Sequence, residues 1–134
     1  MKVGLLLILT VSVLQSIAQS VDRCGMNNDP VITAEEAEFL KNYFKKTHPE
    51  FDFEGKKIAF ITGSSGSKIG SKTAYFTDIR KWQENGESIA TSLVILTPEE
   101  KIESGGYDAI ITYWVKVFTP KSKKAIIEKL AAQR

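Results

Sequence analysis

Gly63, Ser64, Ser65, Gly66 and Gly70, with Lys68 and Lys72 among them, are the residues of this chain whose types and spacing most invite chemistry. They follow the apolar run "KKIAFIT" (56–62) and precede a helix-compatible stretch. That is where a strand would hand over to a helix. Bare N–H groups at a helix start attract negative groups, and lysines add charge nearby. In an open sheet, ligands favour the crevice beyond the carboxyl ends of the strands. The expected chemistry is therefore binding, not catalysis, with a small anionic ligand carrying a phosphate or carboxylate.

More specific templates do not fit. A phosphate-binding loop needs G-x4-G-K-[ST]. Gly66 is followed by Ser71-Lys72-Thr73 at the right distance, so Ser71 stands where the second glycine belongs. A magnesium-binding aspartate is also missing from the next apolar strand, where "SLVILTPEE" offers Thr97. The dinucleotide pattern G-x-G-x-x-G fails because the glycines are 63, 66 and 70. "IAFITGSSG" (58–66) resembles the first strand and turn of short-chain dehydrogenases. The resemblance is confined to that stretch. It breaks at Ser67-Lys68, and the Tyr-x3-Lys pair that it would imply is absent, Tyr113 and Lys116 being too close together.

Acid–base candidates are few. His48 precedes Pro49 and should sit in an exposed turn. Asp108 opens an apolar strand beside Gly105-Gly106. Burial there would raise its pKa and make it functional, whereas hydrogen bonds to loop N–H groups would make it structural. On these two residues rests the rival reading, a small exported enzyme acting on a phosphate- or carboxylate-bearing substrate. With one cysteine and one histidine, neither a metal site nor a cofactor is expected. Tyr75, Trp82, Tyr107, Tyr113 and Trp114 could line a carbohydrate site, although their places in periodic segments assign them to the core first.

Lys121, Lys123 and Lys124 crowd the first turn of the last helix, where the helix dipole disfavours cations. A solvated face or a basic surface for an acidic protein partner would explain them, the latter giving a third reading. The formal net charge is +2, and residues 19–54 and 82–108 are net acidic while 55–81 and 109–134 are net basic. A near-neutral total argues against a dedicated nucleic-acid binder.

At the amino end, Lys2, the apolar run Val3–Leu14 and small residues at Ser16 and Ala18 form a signal peptide pattern. Cleavage is expected between Ala18 and Gln19, giving a secreted or periplasmic protein with no membrane span after cleavage. Residues 19–31 read as a flexible leader. Cys24 lies in it and is the chain's one cysteine, so an intramolecular disulfide is excluded, a free thiol is expected, and a disulfide-linked dimer is open.

Residues 32–134 read as one domain. Thr33-Ala34-Glu35-Glu36 and Thr97-Pro98-Glu99-Glu100 are capping boxes, and Thr119-Pro120 opens the last helix. Residues 73–84 fit a helix better than a strand. Three runs, near 56–62, 89–97 and 107–118, are apolar on both faces and call for layers on both sides. The expected order is α-β-α-β-(short α)-β-α, an α/β fold with a small three-stranded mixed sheet. The first two strands should be joined by a parallel crossover and the last two should pair antiparallel.

Overall fold

The computed structural model describes residues 23–133. The expected signal segment and its cleavage point lie outside them. The described chain is a mixed sheet covered on both faces. Its elements are α1 (Ala34–Tyr43), β1 (Ile58–Thr62), β2 (Lys68–Ile69), α2 (Lys72–Glu84), β3 (Thr91–Ile95), α3 (Pro98–Glu103), β4 (Ala109–Tyr113) and α4 (Pro120–Ala131).

Both capping boxes form. The Thr33 hydroxyl accepts from the Glu36 N–H while Glu36 accepts from the Thr33 N–H, and Thr97 and Glu100 do the same for α3. Ser71 caps α2 and Thr119 caps α4 by accepting from Ala74 and Ser122. Each cap satisfies an N–H that the helix itself leaves open. Residues 72–84 are helical, with Tyr75, Phe76 and Ile79 on the buried face.

The sheet has four strands, not three, in the order β2-β1-β4-β3. The additional strand, β2, has two residues and pairs antiparallel with β1, Ile61 opposite Ile69 and Thr62 opposite Lys68. The expected crossover is also corrected. β1 pairs in parallel with β4, Ile58 opposite Ala109, while β3 runs antiparallel to β4. β3 is therefore antiparallel to β1 and not its neighbour. Burial explains the choice: all five residues of β4 are buried, whereas Ser92 and Ile95 of β3 are exposed. The strand that is apolar throughout takes the centre, and the one with solvent-tolerant positions takes an edge. The antiparallel pairing of the last two long strands is as expected.

Each face has its own core. α1 and α2 pack Leu40, Phe44, Tyr75, Phe76 and Ile79 against Ile58, Phe60, Ile111 and Leu93. On the other face α4 sets Ile126, Ile127 and Leu130 on Ala59, Ile61 and Ile110.

Within the expected leader, residues 23–31 make specific contacts with the domain, Cys24 and Gly25 being buried and most of the rest exposed. Cys24 is buried in the first core. The Gly25 N–H donates to Glu36 Oε2, the Thr73 N–H donates to Asn28 Oδ1, and Val31 bridges to Lys57. Burial, reinforced by the nearby Glu36 carboxylate, pushes the Cys24 thiol up to about 12. Pairing with a second chain would first require this segment to leave the core. Among the described residues no helix is long and apolar enough to cross a membrane.

Candidate functional site

β1 and β4 are adjacent and parallel, so their carboxyl ends open on one side of the sheet. Ligands of open sheets collect at such ends. Two segments meet there, Gly63–Ser67 after β1 and Trp114–Phe118 after β4.

Gly63–Ser67 is a hairpin turn joining two antiparallel strands, not a strand-to-helix junction. The Gly66 N–H donates to the Gly63 carbonyl at 2.8 Å, and both glycines have positive φ, 89° and 69°. Glycine meets that demand without steric penalty. Ser64 and Ser65 are exposed at the tip. The Ser64 carbonyl accepts from the N–H groups of Lys116 and Val117, and Lys129 Nζ donates to the Ser67 carbonyl at 2.8 Å. A side chain at Gly66 would strike the Phe118 ring. The turn is thus tied to the other segment.

The two lysines expected beside the loop part company. Lys68 is exposed on β2. Lys72 is buried and ion-paired with Glu36 at 2.9 Å, its Nζ also donating to the Val31 carbonyl. Gly70 lies against Tyr113. At the start of α2 the Thr73 and Ala74 N–H groups already donate to Asn28 and Ser71. Of the anion cradle expected at residues 63–72, the hairpin tip and Lys68 are available.

The other segment begins with an anomaly that the sequence does not announce. Trp114 has φ 59°, the one positive φ at a non-glycine residue among the described residues. A side chain held in that region costs about 1–3 kcal/mol and is characteristic of binding and catalytic sites. Its N–H donates to the Ala90 carbonyl, which fixes the twist at the end of β4. The residue is 38% exposed. It meets Trp82 of α2 at 5.0 Å between centroids and an angle of 55°. Its indole Nε1–H donates to Asp78 Oδ2 at 3.3 Å. Asp78 and Trp82 are four residues apart on α2 and so share a face. The result is a half-open aromatic corner with a carboxylate at its edge.

The remaining aromatics separate as packing requires. Tyr75 and Tyr113 are buried, and burial raises the pKa of both hydroxyls. Tyr107 lies under the Lys57 ammonium, 4.3 Å from its ring centroid.

The two acid–base candidates are held apart from this corner. His48 Nδ1 meets Thr47 Oγ1 at 3.0 Å, in the turn after α1. Asp108 accepts from the Lys57 N–H at 2.9 Å and pairs with Lys101 at 2.8 Å. Burial alone would raise its pKa, but the Lys101 ammonium and the Lys57 N–H outweigh burial and hold it below the usual 3.8. Asp108 therefore links the start of β4 to Lys57, just before β1, and to Lys101 of α3.

A folded pKa below the unfolded one contributes stability above the unfolded value, and that stability is lost as pH falls through the folded value. Asp108→Asn keeps an acceptor for Lys57 but no charge for Lys101. It should lower stability at pH 7 by about 1 kcal/mol and flatten the acid limb below about pH 4 in denaturant titrations. An unchanged limb would show that Asp108 is not the group responsible.

Of the three lysines at the start of α4, Lys121 and Lys124 are exposed and Lys123 is half-buried. Lys123 pairs with Glu100 of α3 at 2.8 Å, and this hydrogen bond lowers the Glu100 pKa. Among the described residues no group of three or more His, Cys, Asp or Glu could hold a metal ion.

No curated protein and no solved structure matches the chain. Residues 28–132 match the family described as a domain of unknown function (DUF8192). That span takes in every strand and helix of the two-faced fold, the hairpin and the aromatic corner, and the chain belongs to this family.

Proposed function

We propose that this chain is an exported, non-catalytic binding module that holds a polyhydroxylated ligand, a saccharide, on the Trp82–Trp114 corner. The observation that carries the reading is Trp114, exposed and kept in a left-handed conformation at the carboxyl end of the central strand. The faces of indole rings are electron-rich and attract the C–H faces of sugar rings. The Asp78 carboxylate, already anchored by one indole N–H, retains acceptor capacity for sugar hydroxyls. The exposed hydroxyls of Ser64 and Ser65 belong to the neighbouring turn and can add contacts. Export rests on the amino-terminal signal pattern.

An anionic group at the hairpin is the second reading, and exposed Lys68 is the observation in its favour. It carries less, because Lys72 is committed to Glu36.

Intrinsic tryptophan fluorescence tests both readings. Titration with cello-, chito- and malto-hexaose is expected to give a saturable change with at least one of them, and Trp114→Ala to weaken that binding at least ~100-fold. A response to inorganic phosphate alone would favour the hairpin. No response to any of the three oligosaccharides would overturn the saccharide reading.

A further inference from the structure

β3 is an edge strand with one side open. The Leu96 N–H donates to the Asp108 carbonyl, and the Ala90 carbonyl accepts from the Trp114 N–H. Even-numbered residues of this run therefore turn their backbone groups toward β4. Those of Thr91, Leu93 and Ile95 turn outward, and none has a hydrogen-bond partner among the described residues. Natural edges are usually guarded by charge, proline or bulges. Here Ser88–Thr97 contains neither a charged residue nor proline, and Ile95 is 45% exposed.

Cavities flank this edge on both faces. Toward α4 lies one of about 870 Å³, with Val94, Phe118 and Ile127 in its wall; its charged residues are Glu103, Glu128 and Lys124 together with the Glu100–Lys123 ion pair. Toward α1 lie two smaller ones, of about 440 and 160 Å³, in which His48 is shared and Ile95, Thr91 and Leu93 take part. A strand added to β3 would send alternate side chains into one face and then the other.

Charge decides the occupant. In the chain the edge lies between Glu84 and Glu87 before it and Glu99, Glu100, Lys101 and Glu103 after it, a net acidic stretch, and Glu50 lines the cavity beside Ile95. A second copy would bring the same acidic surroundings to the edge, whereas a basic segment would neutralise them. We infer that β3 accepts an extended peptide, apolar at its centre and flanked by lysine or arginine, which adds a fifth strand to the sheet. Main-chain hydrogen bonds supply affinity and the two sets of cavities supply selectivity.

The probe is the synthetic peptide KKVLVFVKK, with EEVLVFVEE as its control. Hydrogen exchange read by NMR should show the Thr91, Leu93 and Ile95 amides slowing at least ~10-fold when the basic peptide is added. The acidic peptide should have no effect. Ile95→Pro removes an outward donor without touching the β4 ladder, and Ile95→Lys adds a like charge to the edge. Each should weaken binding of the basic peptide by ~10-fold or more, measured by fluorescence anisotropy. Unprotected edge amides with saturating peptide would overturn the proposal, as would equal binding of the acidic peptide. Edge protection that appears with protein concentration alone, together with a dimer in sedimentation, would assign the edge to a second copy instead.

Discussion

Glu36→Ala is expected to destabilise the fold by about 3–5 kcal/mol, the loss typical of a buried ion pair deprived of one partner. The Glu36 and Lys72 side chains are 2% and 1% exposed and meet at 2.9 Å. Glu36 is also the acceptor for the Gly25 and Thr33 N–H groups, so alanine strands two donors and a buried ammonium together. Lys72→Met strands the carboxylate instead and should fall in the same range. Glu36→Gln separates the contributions. It keeps one oxygen acceptor in place of two, since Gly25 donates to Oε2 and Thr33 to Oε1, and leaves the Lys72 charge uncompensated, so most of the loss should persist. Urea titration of the three variants provides the check. A loss below 1 kcal/mol in Glu36→Gln would show that charge compensation contributes little here.

Phe76→Ala should cost a similar amount, about 3–5 kcal/mol. The ring is fully buried between Phe39, Phe60 and Tyr75, so alanine leaves a cavity among three aromatic neighbours. Phe76 also lies against Gly25, where an added side chain would meet it at 2.8 Å. Removing it loosens the segment that buries Cys24. With its thiol pushed up to about 12, Cys24 should resist alkylation in the native protein. Labelling with iodoacetamide at pH 8 then reports the opening of this segment, and Phe76→Ala should accelerate it ~100-fold or more. A rate that is already fast in the native protein would mean that residues 23–31 open independently of the core.

Local chemistry was readable from the chain. Thr33 with Glu36 and Thr97 with Glu100 mark helix starts because a capping box is complete within four residues. The two covered faces were readable from strands without polar alternation. Relations between distant segments were not. Lys72 looks like a solvated lysine beside a glycine loop because its partner, Glu36, lies on another helix. β2 has two residues, too few for any periodicity, and it lies within the very stretch that mimics a nucleotide-binding turn. Strand order depended on comparing burial along β3 and β4. The site was partly legible: Trp82 and Trp114 could be named as aromatic candidates, but a tryptophan carries no signature of positive φ.

The parallel pairing at the sheet's centre governs the order of assembly. Ile58 must find Ala109 across more than a third of the chain, while β3 and β4 are separated by one short helix. Closing the long loop is the slower event. The β3–α3–β4 unit should therefore form early, with β1 as a late arrival. A nascent chain emerging from its amino end cannot complete either core until β4 has followed, and its first apolar strand waits uncovered in the meantime.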